Sequence, residues 1–319
     1  MRFLLTLALC ASTLCASTFA AAQDRTIKIQ VPFAPGGGTD ILTRIIAPKL
    51  AERLAQPVIV ENRPGAGGAL AARYTAAAAP DGQTIMMGTI SEIAINPHVN
   101  PKIGYDIWKD FALIGSVAYT PMTVVVHPSV PAKSVKELIA LAQAQPKSLN
   151  YGSAGTGSGA HMGAELFRYL TRTEITHVPY KGVGPAVADT VAGQVHMTFT
   201  TVPSVVNFVK SGQLRSLGVA SAKRAPQLPD VPTFIEAGVP EYLMDYWYCL
   251  VAPAATPKDV QARLHGAVHE VMKMTDVAAG LEKMGLIPLT MSAEEFVAHV
   301  KKENERWAAV VKAAGIKVE

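Results

Sequence analysis

Cysteine is scarce in this sequence, and positive and negative charges nearly balance. Only three of the 319 residues are cysteine, and two of them, Cys10 and Cys15, lie in an apolar N-terminal segment. Without that segment Cys249 would stand alone, so no internal disulfide is expected, and its apolar, strand-like surroundings predict a buried thiol instead of a nucleophile. The 29 Lys and Arg residues barely outnumber the 25 Asp and Glu residues. No basic tail or stripe indicates binding to nucleic acid.

The sequence also lacks the common signatures of metal and cofactor sites. It contains no Walker loop and no Cys/His cluster. His265 and His269 stand four residues apart on a predicted helix, a spacing that suits two metal ligands, but no third ligand accompanies them. A solvated helix face is the better interpretation, and neither a metal nor a cofactor is expected.

The first 22 residues have the composition of a secretory signal. Arg2 is their one charge, the run Phe3–Leu14 is mostly apolar, and Ala20–Ala22 fits a small-residue cleavage site. We expect cleavage after residue 22 and a periplasmic mature protein. A membrane anchor is the alternative, but the apolar run is short for a spanning helix. Lipid attachment at Cys10 or Cys15 is disfavoured because leucine precedes both residues.

Two glycine-rich turns each lie between a predicted strand and a predicted helix. The first, Pro32–Asp40, contains three consecutive glycines after the alternating, β-branched segment Ile27–Val31. The second, Tyr151–His161, has the same context in the other half of the chain. Glycines let backbone N–H groups approach a ligand closely, and a helix N-terminus carries partial positive charge. Two such turns predict a cleft that binds an anion from both sides.

The order of predicted elements indicates an α/β protein with two domains. Strands and helices alternate in both halves of the chain, which favours parallel strands with helices on the sheet faces, and we expect each half to form its own sheet. Extended segments near residues 111–127 and 246–251 would cross between the domains and form a hinge. The first domain would then comprise residues 23–122 and 247–319, and the second residues 123–246.

Local signals predict where several elements begin and end. Pro48 should kink or interrupt the first helix, and residues 89–109 are predicted to be rich in loop. Thr256 is predicted to cap one long helix. Ser292 should open the last helix with a capping box, and Gly315 should end it.

The second glycine-rich turn admits three interpretations. A dinucleotide fingerprint is disfavoured because Glu174, the acidic residue at about the right spacing, falls at the wrong end of the next strand. A serine hydrolase would use Ser153 or Ser158 with His161, but neither serine lies in a nucleophile-elbow frame. Passive anion binding by N–H groups and hydroxyls requires only residues that are present.

Six segments occur in a characteristic order along the chain. They are Pro32–Asp40, Glu61–Gly68, Asn150–Ser158 with His161, Tyr180–Pro185, Leu228–Gly238, and the tail Glu305–Trp307 with Ala314–Lys317. Each is modest alone, but together they cover nearly the whole chain after residue 22. The ordered set resembles the Bug family, the periplasmic solute-binding proteins of tripartite tricarboxylate transporters.

The resemblance implies a two-domain Venus-flytrap fold of type II, with a small organic anion, usually a carboxylate, in the cleft. It implies delivery of that anion to the membrane components of a tripartite tricarboxylate transporter, without catalysis. We expect a monomer. A ligand receptor for a signalling system is one alternative, and a secreted hydrolase that uses Ser158 and His161 is the alternative from another class.

In this family the turn after the first strand holds one carboxylate, partly through ordered waters, and loops of the other domain close over the rest. Mapped by motif, the first turn is Phe33, Pro35, Gly36, Gly37, Thr39 and Asp40, and the opposing group is Ser153, Gly155, Thr156, Gly157, Ser158 and His161. Thr89, Tyr180 and Thr200 are added because they follow strand ends. Asp40 is an unfavourable neighbour for a carboxylate, and three roles are open for it: helix capping, a water bridge, or pairing with a ligand amine.

Overall fold

A computed structural model describes residues 26–316 of the chain. The predicted signal segment and its cleavage site lie outside the described residues. The strands of the described part are β1 Ile27–Val31, β2 Val58–Asn62, β3 Thr84–Thr89, β4 Phe111–Val126, β5 Asn150–Ser153, β6 Thr176–Pro179, β7 Met197–Thr201, β8 Arg215–Val219, β9 Asp245–Pro253 and β10 Ile287–Pro288.

The helices lie mainly on the faces of these strands, as the alternating sequence pattern predicts. They are α1 Gly38–Leu54, α2 Ala69–Ala76, α3 Asn96–Val99, α4 Val135–Ala144, α5 Gly159–Thr171, α6 Val183–Val191, α7 Val202–Lys210, α8 Lys258–Lys273, α9 Thr275–Lys283 and α10 Ala293–Ala314, with a 3-10 turn Ala66–Gly68 and a π-helical turn Ser91–Ile95. None of the helices described between residues 26 and 316 is both long and apolar enough to cross a membrane.

The strands form two sheets that share one long strand. In the first sheet β1 runs parallel to β2 and β3, and β9 runs antiparallel between β3 and β4. In the second sheet β5 runs parallel to β6 and β7, while β7 and β8 pair antiparallel with β4. The inner strands are almost fully buried, so the apolar residues of β3, β7 and β9 form the core beneath the helices.

The shared strand β4 changes its partner in the middle. Pro121 is the last residue paired with β9, opposite Asp245, and Met122 is the first residue paired with β7, opposite Thr201. Proline has no backbone N–H to donate to a ladder, which favours an end of pairing at this point. The two sheets expected from the sequence are therefore present, but they are joined through β4 and form one continuous path of strands.

The C-terminal helices pack on the first sheet. Helix α8 lies against α1 and β4, and α10 lies against β4 and the π-helical turn. The predicted ends of α10 are confirmed. The Ser292 side chain accepts the Glu295 N–H in a reciprocal capping box, and Gly315 ends the helix in the left-handed conformation at φ 63°.

Three local predictions are corrected by the structure. Pro48 lies inside α1 without ending it; it is exposed, so the carbonyl group that loses its N–H partner can bind water. Part of the segment predicted as loop forms the fully buried π-helical turn Ser91–Ile95 and helix α3. Thr256 does not cap α8, which follows Pro257, and the extended backbone of Met274 (ψ 130°) divides the expected long helix into α8 and α9.

Candidate ligand-binding site

A small cavity lies where the first turn of the chain faces the second sheet. Its volume is about 30 Å³, which is room for a water molecule or two in this closed arrangement. Residues from both sheets and from the turns beside them form the wall. The lining residues are Phe33, Gly37, Gly38, Thr39, Met122, Ala154, Ala160, Val183, Thr200, Thr201, Tyr246 and Tyr248.

Four helices begin at this cavity. Helix α1 contributes Gly38 and Thr39 to the wall, α5 contributes Ala160, α6 contributes Val183, and α7 follows directly after Thr201. The first N–H groups of a helix have no acceptor within the helix, and the helix dipole places partial positive charge there. Four such ends around one cavity create a positive potential without a formal charge, which favours an anion.

Two of these N–H groups already bridge the cavity. Gly38 N–H donates to Ser204 Oγ at 3.0 Å, and Gly159 N–H donates to Ser91 Oγ at 2.9 Å. Each bond joins an element on the first sheet to an element on the second, so both bonds stabilise the closed arrangement. The next N–H groups of α1 and α5, those of Thr39 and Ala160, lie on the cavity wall at helical positions that have no intrahelical acceptor.

Two hydroxyl groups in the wall lack a partner. Thr200 Oγ1 and the Tyr248 hydroxyl are buried, and neither has a hydrogen bond within the described residues. Buried polar atoms are normally paired, because leaving one unpaired costs about 1–3 kcal/mol. These two hydroxyls are therefore candidate donors to a bound ligand.

Asp40 holds the first turn in shape. Its carboxylate accepts the Gly36 N–H at 3.1 Å, Arg44 Nε at 3.0 Å and Asn62 Nδ2 at 3.0 Å, and Asn62 Nδ2 also donates to the Phe33 carbonyl. Burial tends to raise the pKa of Asp40, but the hydrogen bonds from Arg44, Asn62 and Gly36 together lower it below its usual value. Of the three roles left open by the sequence, the structure favours capping of the turn at the start of α1.

We expect Asp40→Ala to reduce the free energy of unfolding by about 2 kcal/mol, because three donors lose one buried acceptor. The matched control is Asp81→Ala, whose carboxylate accepts the Gln83 N–H in an exposed turn far from the cavity. Urea unfolding at pH 7 measures both. Since the pKa of Asp40 is lowered on folding, the difference between wild type and variant should persist above pH 5 and shrink as the carboxylate is protonated at lower pH. Equal losses in the two variants would contradict this role.

Glycines allow the two sides of the cleft to approach each other closely. A Cβ at Gly184 would lie 2.2 Å from the Pro35 carbonyl oxygen, and a Cβ at Gly38 would lie 2.6 Å from both Thr201 Oγ1 and the Tyr248 hydroxyl. Beside them, Ala34 N–H donates to the Lys181 carbonyl at 3.0 Å. Gly37 is different, because a Cβ there would meet Val183 only at an ordinary 3.8 Å. Gly38 and Gly184 thus belong to the close approach, whereas Gly37 does not.

The second glycine-rich turn is held from behind by two histidines. His161 Nδ1 accepts the Gly157 N–H at 3.3 Å, and His177 Nε2 lies 2.6 Å from Ser153 Oγ, which itself accepts the Gly155 N–H. Burial lowers the pKa of both imidazoles, and that of His177 falls to about 4 with a further contribution from His161. Both rings are therefore neutral at pH 7 and can keep these roles.

The geometry does not support a catalytic serine at this turn. Ser158 Oγ caps α5 by accepting the His161 N–H, while the ring of His161 is engaged with Gly157 instead of the Ser158 hydroxyl. Ser153 and Ser158 are both fully buried, and neither lines the cavity. A nucleophile needs an accessible oxygen with a base in reach, and neither serine has both.

The paired histidines on α8 do not form a metal site. The two rings stack with centroids 5.8 Å apart, and His265 Nδ1 lies 2.8 Å from the Ile114 carbonyl oxygen. Within residues 26–316, no group of three His, Cys, Asp or Glu side chains is placed to hold a metal ion.

The predicted site residues fall into three places. On the cavity wall lie Phe33, Gly37, Thr39 and Thr200. On an open groove at the outer edge of the cleft, beside Gly67 and Lys181, lie Gly155, Thr156 and Tyr180. Outside the lining, in the turns or behind the wall, lie Pro35, Gly36, Asp40, Thr89, Ser153, Gly157, Ser158 and His161.

Sequence reasoning missed much of the wall, notably Tyr246 and Tyr248. Both tyrosines lie on β9, two residues apart and therefore on the same face of the strand. Ala154, Val183 and Thr201 were also missed. A search for residues between strand ends and helix starts would have found these three, whereas the tyrosines carry no such signal.

Comparison with known proteins identifies the class and then the family. Periplasmic binding protein BugD has a similar solved structure, with a TM-score of 0.89 and 30% sequence identity over 92% of this chain and 99% of that one. The fold is thus that of a periplasmic binding protein, with the cavity at the junction of its two sheets. The model of the tripartite tricarboxylate transporter family receptor matches residues 42–316. The chain belongs to this family, and the resemblance seen in the sequence is confirmed.

Two further solved structures contain small carboxylates. Rpa4515 of Rhodopseudomonas palustris, solved with adipate, has a TM-score of 0.88 and 38% identity, covering 92% of this chain and 98% of that chain. MatC from Rhodopseudomonas palustris, solved with bound malate, has a TM-score of 0.87 and 33% identity, covering 90% of this chain and 99% of that chain.

Proposed function

We propose that this chain is a periplasmic solute-binding protein that captures a small organic anion with at least one carboxylate. It delivers that anion to the membrane components of a tripartite tricarboxylate transporter. The observation that carries the proposal is the meeting of four helix N-termini at one cavity between the two sheets. The adipate and malate in two related structures support the choice of a carboxylate.

The ligand lies between two lobes that move about the shared strand. We assign residues 23–122 and 247–319 to the first lobe and residues 123–246 to the second, because β4 changes its partner between Pro121 and Met122. The protein acts as a monomer in the periplasm after removal of residues 1–22. Closing of the lobes removes water from the cleft, which strengthens each hydrogen bond to the anion.

The lining explains how a carboxylate is held without a cation. No Lys or Arg is among the cavity-lining residues. Hydrogen bonds from N–H and O–H groups to a charged acceptor contribute about 1.5–3 kcal/mol each, so a few donors suffice. Phe33, Met122 and Val183 add apolar surface, which suits a short aliphatic chain between or beside the charged ends.

The proposal is tested by a thermal-shift screen with adipate, malate and other dicarboxylates of graded length. A true ligand at 100 times its dissociation constant should stabilise the protein by about 2.7 kcal/mol. Thr200→Val should weaken binding of the best ligand roughly tenfold, since one donor to a charged group is lost. Thr176→Val, at an exposed position of the same sheet, is the control and should bind like wild type. The absence of any shift from all the acids would contradict the proposal.

A further inference from the structure

The Glu92 carboxyl group is buried behind the cavity, and no cation pairs with it within residues 26–316. Glu92 lies on the π-helical turn that follows β3 and is fully buried. Its Oε2 accepts the Thr89 N–H at 2.9 Å and the Thr89 hydroxyl at 2.8 Å. Among the described residues no Lys, Arg or His lies within ion-pair distance of it. A buried carboxylate without a paired charge is costly, and such a group tends to hold a proton.

The other carboxyl oxygen is enclosed. Glu92 Oε1 has no hydrogen-bond partner among the described residues, and it faces Gly68, where a Cβ would lie only 1.8 Å away. Gly68 adopts φ +98°, a conformation that favours glycine, and a side chain at this position would clash with the Glu92 carboxyl group. The enclosure excludes a counter-ion, and burial raises the pKa of Glu92 to about 8.

A chain of hydroxyl groups joins Glu92 to the cavity. Thr89 Oγ1 lies 3.0 Å from the hydroxyl of Tyr246, which stands on the cavity wall. The Tyr246 hydroxyl also lies 3.1 Å from Ser91 Oγ, the atom that accepts the Gly159 N–H from the other side of the cleft. Two hydrogen bonds, through Thr89 and Tyr246, thus link Glu92 to the ligand site. The adjacent residue Ser91 makes one of the contacts that join the two sides of the cleft.

Tyr105, Tyr246 and Cys249 are titratable side chains close to Glu92 in the described part of the chain. Tyr105 donates its hydroxyl to the Glu92 carbonyl, and Cys249 and Tyr246 lie on β9 close enough to feel the carboxyl charge. Burial raises the pKa of all three, so they stay neutral.

The helices packed on the π-helical turn carry other titratable groups that are engaged elsewhere. They are His98 with Asn304, His161 with Gly157, and Glu303 with Trp247. The 3-10 turn beside Glu92 consists of alanine and glycine and has no titratable side chain.

We propose that Glu92 is a proton-binding residue coupled to the ligand site, so that a carboxylate binds together with one proton taken from solvent onto Glu92. The inference rests on the proposed function, since it assumes an anionic ligand in the cavity. With Glu92 ionised, Thr89 donates to Glu92 and Tyr246 donates to Thr89, which leaves the tyrosine no proton for the ligand. With Glu92 protonated, Glu92 donates to Thr89, Thr89 donates to Tyr246, and the Tyr246 O–H is free to donate to the carboxylate.

The charge itself acts in the same direction. An ionised Glu92 would repel a ligand anion through a region of low dielectric, where such interactions are strong. Protonation of Glu92 removes that repulsion and also reverses the direction of hydrogen-bond donation from Glu92 through Thr89 to Tyr246. By linkage, a carboxylate that prefers the protonated form raises the proton affinity of Glu92 by the same factor.

The test is titration calorimetry with adipate and with malate at pH 6.5, 8 and 9. The dissociation constant of wild type should be about tenfold higher at pH 9 than at pH 6.5. At pH 8, enthalpies in two buffers of different ionisation enthalpy should reveal net proton uptake. In Glu92→Gln the ratio of the dissociation constants at pH 9 and pH 6.5 should fall to near one. The net proton uptake at pH 8 should vanish, whatever the absolute affinity of the variant. Glu305→Gln makes the same substitution at an exposed site on α10 and should behave like wild type.

A second variant keeps the inference testable if Glu92→Gln does not fold. Tyr246→Phe removes the middle of the hydroxyl chain and should flatten the pH dependence, with its largest loss of affinity at pH 6.5. Binding by wild type that is independent of pH would overturn the inference and leave the proposed function intact. A pH dependence that survives in both variants would assign the proton to another group. Failure of adipate, malate and every other acid of the thermal-shift screen to bind at every pH would overturn the function and the inference together.

Discussion

Gly184→Val should prevent the lobes from closing and should weaken ligand binding by about 100-fold, the equivalent of roughly 2.7 kcal/mol. A Cβ at this position would lie 2.2 Å from the Pro35 carbonyl oxygen on the other side of the cleft. The obstacle is a main-chain atom, which cannot rotate away as a side chain can. The backbone of residue 184 lies outside the left-handed region, so the lobe that carries it should fold normally.

Gly266→Val on α8 is the matched control, because a Cβ there meets nothing within 4 Å and its backbone also lies outside the left-handed region. Small-angle scattering with and without adipate should show compaction for wild type and Gly266→Val and no change for Gly184→Val. Calorimetry supplies the affinities. If Gly184→Val compacts and binds like the control, closure does not depend on the approach of Pro35 to Gly184.

Glu92→Gln should remove a pH dependence of stability of about 3–4 kcal/mol between pH 5 and pH 8. The pKa of Glu92 is about 8 in the folded chain against 4.5 for a free side chain, so the folded state binds more protons than the unfolded state in this interval. Wild-type stability should therefore fall as pH rises, by up to about 1.4 kcal/mol per pH unit from this group. The contribution is fully present below pH 4.5 and is lost as pH rises through 8.

The measurement is urea unfolding of wild type and Glu92→Gln at several pH values, without ligand. The difference between the two free energies isolates Glu92, because all other groups titrate in both proteins. We expect the variant to be the more stable of the two at pH 8, since it buries no ionisable group at this position. If the free energies of unfolding of the two proteins changed with pH in parallel, Glu92 would not be a group that holds a proton in the folded chain and releases it on unfolding. This outcome is independent of ligand identity.

The sequence pattern was sufficient to predict the first glycine-rich turn and the helix N-terminus that follows it. Three glycines between a β-branched strand and a helix favour a tight turn into a helix N-terminus, and Pro32–Asp40 forms one. The capping box at Ser292 is equally local, because donor and acceptor lie within four residues. Where both partners of an interaction are close in sequence, the pattern is sufficient.

The missed features depend on partners far away in sequence. Tyr246 and Tyr248 lie in a strand buried on both faces, so alternation cannot indicate which face meets the cavity. The π-helical turn Ser91–Ile95 is stabilised by its packing against α10 and α3, which its own five residues do not reveal. Ser158 was predicted to face the ligand, but the structure shows that its hydroxyl is occupied by the His161 N–H, a contact that the sequence alone does not reveal.

The contacts that close the cleft are made largely by the main chain. Gly184 meets the Pro35 carbonyl, Gly67 meets the Thr156 carbonyl, and Ala34 N–H donates to the Lys181 carbonyl. The cavity wall between these contacts also carries side chains, among them those of Phe33, Met122 and Val183. Evolution can therefore exchange the lining residues to suit a longer, shorter or more polar acid while the closing movement is inherited unchanged. Divergence in ligand preference among relatives should be concentrated in the lining, and the glycines at the contacts should be retained.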